Sequence, residues 1–248
     1  MAQDAARNQV FDAFERTLRR GPARIRFSSI IDPFEPQATP RPRGPLLRRL
    51  RARFSQAFPL LFLRLLGWFM RRNWFPQMEE PLQLWGVLDL KAHRCMYSLI
   101  GTSKTILVVR GQRWEGDSGS AVADLTPRPA GTGQPLWLLD LVRGVTEAKA
   151  QGEEALYGET TRRFTAYASL ERAVRAAPYP MPGANASDLV VDHNRLALQL
   201  WVDSDGCIRR IYIRYSFAPM TLDLLAFGTP PPDWSRLQTF TRGLRLTS

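Results

Sequence analysis

Residues 195–215 read RLALQLWVDSDGCIRRIYIRY, and their alternation decides the fold. Leu196, Leu198, Leu200 and Val202 alternate with Ala197, Gln199, Trp201 and Asp203. A period of two belongs to a strand, because successive side chains on an extended backbone point to opposite faces. Asp205-Gly206 then supplies a turn dipeptide that favours positive φ, and a second strand follows. A two-residue turn there sets Ser204 opposite Cys207 and pairs Val202 with Arg209, Leu200 with Ile211 and Leu198 with Ile213. The opposite face carries Trp201 beside Arg210 and Gln199 beside Tyr212. A slip of one residue would mix apolar and polar faces, so the pattern specifies its own register. The apolar face then needs a cover from elsewhere in the chain.

Working outward, the same alternation recurs. Leu82–Leu90, His93–Ile100, Thr105–Arg110 and Gln112–Glu115 read as a meander, and Gly116–Gln134 reads as a loop. Val145–Ala150, Glu154–Tyr157, Thr161–Ala168 and Met220–Gly228 read as further strands. Ala23–Asp32 is another, with Ile25, Phe27 and Ser29 facing one way. Helical spacing appears at residues 3–20, where Val10, Phe11, Phe14 and Leu18 share a side before Gly21-Pro22 stops the helix. Leu170–Ala176 is a short helix. Pro135 opens another, PLWLLDLVRG, at a position where proline suits the first turn. Leu136, Trp137, Leu139, Leu141 and Val142 make it apolar nearly all round, so it is buried. The expected class is α+β, an antiparallel sheet with helices on one face, in one domain of 248 residues.

Residues 33–81 break this order and form an insertion between the first two strands. A proline-rich linker, Pro33–Pro45, leads into LLRRLRARFSQAFPLLFLRLLGWFMRRNW, residues 46–74. From Arg41 to Arg72 there are nine arginines and no acid. The apolar run is short for a span and contains Arg64, which points to an amphipathic helix lying in a membrane interface. Arg48, Arg49, Arg51, Arg53, Arg71 and Arg72 would meet anionic headgroups at roughly 1 kcal/mol each. Phe58, Leu61, Phe62, Leu65, Trp68, Phe69 and Trp74 would enter the apolar boundary. Packing of the helix on the chain's own sheet, or on a partner protein, is the alternative. The formal charge of +11 suits an anionic partner. It rests on 31 arginines and only three lysines, which is also what a coding bias produces. The arginines alternate with Leu and Phe and no nucleic-acid reading motif accompanies them, which speaks against nucleic acid.

Chemistry-bearing motifs are few. Gly116-Asp117-Ser118-Gly119-Ser120 matches the nucleophile motif of chymotrypsin-like proteases. The His, Asp, Ser chain order fails, because no Asp lies between His93 and Asp117. Asp203-Ser204-Asp205-Gly206 echoes a calcium loop, but Trp201 occupies a ligand position and no Glu follows at the right offset. Two cysteines, Cys95 and Cys207, make no disulfide framework and are expected to be buried and inert. No catalytic residue, metal or cofactor is expected. The first twenty residues have no apolar h-region and no lipid-attachment cysteine, so the expectation is a cytoplasmic chain, peripheral on the inner face of the plasma membrane.

The order of elements resembles a known family. The pieces are ERTLRRGPARIRF, GVLDLKAHRCMY, VVRGQRWEG, PLWLLDLVRGVTEA, EALYGETTRRFTAYASLERA, the 195–215 hairpin and LDLLAFGTPPP. They resemble the actinobacterial LppX/LprAFG-like lipoproteins and, more remotely, the lipoprotein carrier LolA. The likeness covers residues about 5–32 and 82–232, and its most specific pieces are Gly111–Trp114, PLWLLDLVRG, Tyr157–Thr160 and WVDSDG. It implies a strongly curved antiparallel sheet, an unclosed half-barrel, with helices on the concave face and an apolar cavity between them. It also implies a non-enzymatic protein that binds or senses a lipid or acyl chain. The cavity walls would be Leu136, Trp137, Leu139, Leu198, Leu200, Ile211 and Ile213, which are equally the residues of a plain core. In the alternative, the half-barrel is solidly packed and the insertion docks on a partner protein.

Overall fold

The computed structural model describes residues 2–29, 82–131, 134–181, 195–215 and 218–240. The insertion at 33–81, with every side chain assigned above to a membrane interface, lies outside them. Eleven strands form one antiparallel sheet: β1 (Ala23–Ser29), β2 (Leu82–Asp89), β3 (Arg94–Leu99), β4 (Lys104–Val109), β5 (Gln112–Asp117), β6 (Arg128–Pro129), β7 (Val145–Leu156), β8 (Glu159–Ala168), β9 (Leu196–Val202), β10 (Ile208–Tyr215) and β11 (Ala218–Phe227). Their spatial order is β6-β5-β4-β3-β2-β1-β11-β10-β9-β8-β7. The chain thus starts in the middle, walks to one edge, crosses over, and walks back from the other edge. The crossover carries α2 (Pro135–Leu141), while α1 (Ala2–Arg19) and α3 (Leu170–Ala176) complete the helical layer.

Each helix forms for a local reason. In α1, Val10, Ala13, Phe14 and Thr17 are buried at helical spacing. Its chain then turns at Gly21, with φ +86°, in the left-handed conformation that closes a helix. Ser169 caps α3 by accepting the Arg172 N–H at 3.4 Å. Pro135 begins α2, whose seven residues are all buried. The inner face of the sheet is apolar across its width, from Tyr97 and Leu84 through Phe27, Leu222, Ile211 and Leu200 to Phe164, all at most 2% exposed. Burying those side chains is the main force holding sheet and helices together.

The opening hairpin departs from its expected turn in an instructive way. Asp203 N–H donates to Cys207 O at 2.9 Å, and Gly206 N–H donates to Asp203 O at 3.0 Å. The connection is therefore a three-residue loop, Ser204–Gly206, with Gly206 at φ +76°. Val202 pairs with Ile208, not Arg209, and a bulge at Arg209 then restores Trp201 opposite Arg210 and Leu200 opposite Ile211. The longer loop and the bulge cancel, so the pairs beyond them keep the register read from alternation. Thr17 of α1 serves the bulge: its hydroxyl accepts the Ile208 N–H at 2.8 Å and donates to Ala13 O at 2.6 Å.

Two other expectations change. The separate strands at 145–150 and 154–157 are one strand, β7, which passes a bulge at Ala150/Gly152 with Gly152 at φ +111°. The loop at 116–134 contains the two-residue edge strand β6 and a short 3-10 turn, Val122–Asp124. Beyond β11, the chain returns over the outer face of β3 and β4, where Leu237 packs with Met96 and Leu107.

Candidate functional site

Helix α2, which carries Leu136, Trp137 and Leu139, packs against β3 and β10; β10 carries Ile211 and Ile213 and pairs with β9, which carries Leu198 and Leu200. All seven are between 0% and 3% exposed. An open groove of about 990 Å³ lies beside this interior, between α1 and the edge strand β7, with Ala6, Gln9, Ala148, Ala150 and Tyr167 among its lining. A smaller one, of about 360 Å³, follows α1 towards the Asp203–Gly206 loop. Neither is lined by any of the seven.

The interior also holds polar groups that periodicity did not single out. Asp140, on apolar α2, is 3% exposed. Its carboxylate is 2.7 Å from His93 Nε2 and accepts from Arg143 Nε at 3.0 Å. An acid on a buried helix has to be partnered, because an unpaired buried charge is very costly. That requirement was the available signal in PLWLLDLVRG. His93 takes φ +48° in the β2–β3 turn and packs against Tyr179 with the rings tilted by 44° and their centres 5.0 Å apart. Nearby, three buried polar atoms make no hydrogen bond among the described residues: His93 Nδ1, Gln134 Oε1 and Tyr97 Oη. Burial holds the Tyr97 phenol well above its usual range, with the neighbouring Cys95 adding to the effect. Burial also pushes the Cys95 thiol up, and both cysteines are free and buried. A thiol held up in this way, as at Cys95, does not form the thiolate readily.

The protease-like motif is engaged in the fold. Ser118 Oγ accepts the Thr239 N–H at 3.2 Å, while Asp117 accepts from Ser103 Oγ at 3.0 Å. His93 is committed to Asp140. In the calcium-like loop, Asp203 Oδ1 accepts the Cys207 N–H at 2.8 Å and Asp205 pairs with Arg20 at 2.7 Å. Among the described residues no group of three or more His, Cys, Asp or Glu is placed to hold a metal ion. Among the same residues no helix is long and apolar enough to cross a membrane.

The convex face carries a second constellation. Asp223 on β11 is 2% exposed and lies between Arg26 on β1 and Arg210 on β10. Arg26 donates to Asp223 Oδ2 from Nε at 3.0 Å and from Nη2 at 2.8 Å; Arg210 Nε donates to Oδ1 at 2.6 Å. Tyr157 reaches over from the β7–β8 turn, where Tyr157 and Gly158 take φ +55° and +82°. Its hydroxyl accepts from Arg210 Nη2 at 2.6 Å and from Arg26 Nη2. Both guanidiniums stand 5.3 Å from its ring centre. Burial, reinforced by Asp223, pushes the Tyr157 phenol up to about 12. Arg210 also faces Trp201 at 5.6 Å, and Arg26 faces Trp85 at 5.9 Å. A pocket of about 480 Å³ opens here, lined by Arg26, Arg210, Trp201, Gln199 and Thr221 among others.

Among the described residues, an eleven-stranded antiparallel sheet that does not close, accompanied by three helices, makes an α+β unclosed half-barrel. No family model matches the chain, and no curated protein does. Among solved structures it is similar to the lipoprotein LppX of Mycobacterium tuberculosis, at 12% identity and TM-score 0.44, over 92% of this chain and 98% of that one. It is similar to LprF of Mycobacterium bovis at 11% identity and TM-score 0.46, over 93% and 96%. A LolA-superfamily protein of Nitrosomonas europaea follows at 9% identity and TM-score 0.32, over 92% and 95%. These are the proteins that the order of sequence elements resembles.

Proposed function

We propose that this chain is a non-enzymatic lipid- or acyl-chain-binding protein, attached peripherally to a membrane through its basic-aromatic insertion. One observation supports the reading above others: the apolar inner face of an unclosed sheet is covered by α2, a helix buried on every side. Leu136, Trp137 and Leu139 occupy the space that an acyl chain would take. A chain that displaced them would gain roughly 0.8 kcal/mol for each buried CH₂. His93, Asp140 and Arg143 would hold α2 in place until then. The arginines and aromatics of residues 48–74 supply the charge and the apolar anchors for an anionic bilayer on the inner face of the plasma membrane.

Two measurements test the two halves. Protein purified without detergent is extracted and its lipids are identified by mass spectrometry; repeated absence of any stoichiometric lipid, together with no uptake of a fluorescent fatty acid, would sink the cavity. Co-sedimentation with phosphatidylglycerol vesicles at low salt tests attachment. Loss of binding on deletion of residues 41–76 is expected, and binding unchanged by that deletion refutes the anchor. A second reading, a solidly packed module whose insertion docks on a partner protein, is favoured by the near-zero exposure of all seven wall residues. It predicts that both assays are negative.

A further inference from the structure

We propose that the convex-face pocket between Arg26 and Arg210 is an oxyanion site that takes a phosphate group. It stands apart from the concave interior and does not depend on the function proposed for it. The charge count comes first. Two guanidiniums share one carboxylate, and both oxygens of Asp223 are already occupied by them. The cluster is left with one uncompensated positive charge at its centre. Donor count comes second. Each guanidinium has spent Nε and Nη2, and neither Nη1 edge makes a hydrogen bond among the described residues. A guanidinium carries five N–H donors and no acceptor, so the surplus donors and charge suit an anion.

The third observation points to a ligand more directly. Trp201 lines the pocket and is 6% exposed, yet its indole N–H has no acceptor among the described residues. A buried N–H without an acceptor costs free energy that a bound oxygen would recover. Gln199 and Thr221 add polar side chains to the lining. Arg26 and Arg210 stand on opposite sides of β11, so donors converge from two directions. That suits a tetrahedral group better than a planar carboxylate, which one guanidinium fork satisfies. The pocket, about 480 Å³, accommodates a phosphate together with part of what it is attached to. The same chemistry describes a free phosphate compound and a phospholipid headgroup.

The test uses the full-length protein and inorganic phosphate, titrated at constant ionic strength and followed by calorimetry. Saturable binding is expected. Arg210→Gln should weaken it about tenfold, the scale of one charge-assisted hydrogen bond. Asp223→Asn, which keeps the shape and removes the competing charge, should tighten it by about threefold or more. Trp201→Phe keeps the ring and loses the donor, and should weaken binding about threefold; it serves where Arg210→Gln fails to fold by circular dichroism. Competition of phosphate against phosphatidylglycerol vesicles, repeated in these variants, identifies the source. Displacement that follows the variant pattern assigns the site to a headgroup, and phosphate binding without vesicle competition assigns it to a free compound. Unsaturable binding, or binding indifferent to all three substitutions, reflects the general positive charge of the chain and overturns the proposal.

Discussion

On β10, Ile211 and Ile213 face the helices while Arg210 and Tyr212 face the other way, and the two faces are held by different forces. The inner side chains of the sheet are apolar and excluded from water. Their stabilisation grows with area and is indifferent to direction. The outer face is held by two arginines, one carboxylate and one phenol in fixed geometry. Such a cluster contributes little beyond offsetting its own desolvation, but it fails when any one member is lost. The inner face therefore supplies stability, while the outer face supplies a specific local arrangement around the seam of β1, β11 and β10.

That contrast can be broken from either side. Leu200→Ala on the inner face should cost about 2–5 kcal/mol, because the removed atoms leave a cavity between Phe164 on β8 and Ile211 on β10. Urea unfolding monitored by circular dichroism measures it; a loss below 1 kcal/mol would mean that the interior is already loosely filled. Asp223→Asn on the outer face should cost about 1–3 kcal/mol, because two guanidiniums are left sharing a neutral acceptor. A neutral or stabilising result would show that the fold does not depend on the carboxylate. The smallest effect concerns Tyr157. Its folded pKa is raised from 10.0 to about 12, so the fold favours the neutral phenol. That contribution is present below the ordinary tyrosine range and is lost as pH rises through about 12. Unfolding curves at successive pH values should show the advantage of the native chain over Tyr157→Phe disappearing in that window. A constant advantage would place the phenol outside the cluster.

The same contrast explains what could be read from the sequence. Inner-face residues repeat every second position within a single strand, so Ile25, Phe27, Leu198 and Leu200 were legible without knowing their neighbours. Helix α3 was legible to the residue. The hairpin register survived an incorrect turn, because alternation along both strands outweighs two residues of loop chemistry. Asp223 was not legible. Its role depends on Arg26 and Arg210, which reach it from two different strands, and on Tyr157, which arrives from a turn further away. Asp140 was hidden for the same reason, since His93 is supplied by a distant turn. Pairings of this kind leave no period in the chain. Whether the seven wall residues enclose a cavity or a core is equally absent from alternation, which reports the side a residue faces and not what it meets there.

The pairing of β1 with β11 has a consequence for how the chain assembles. Strands β2 to β5 zip between near neighbours, as do β7 to β10, and each ladder closes short loops. The β1–β11 ladder joins one end of the described chain to the other and carries its own bulge at Arg24/Ile25. Closing it carries the largest loop entropy in the sheet, so it should form last and open first. Pulse-labelled hydrogen exchange should find the amides of β3 and β4 protected before those of β1, and simultaneous protection would refute that order. During synthesis, β1 would then wait with one side unpaired until β11 emerged, and a chaperone that shields Ile25 and Phe27 over that interval would raise the yield of native protein.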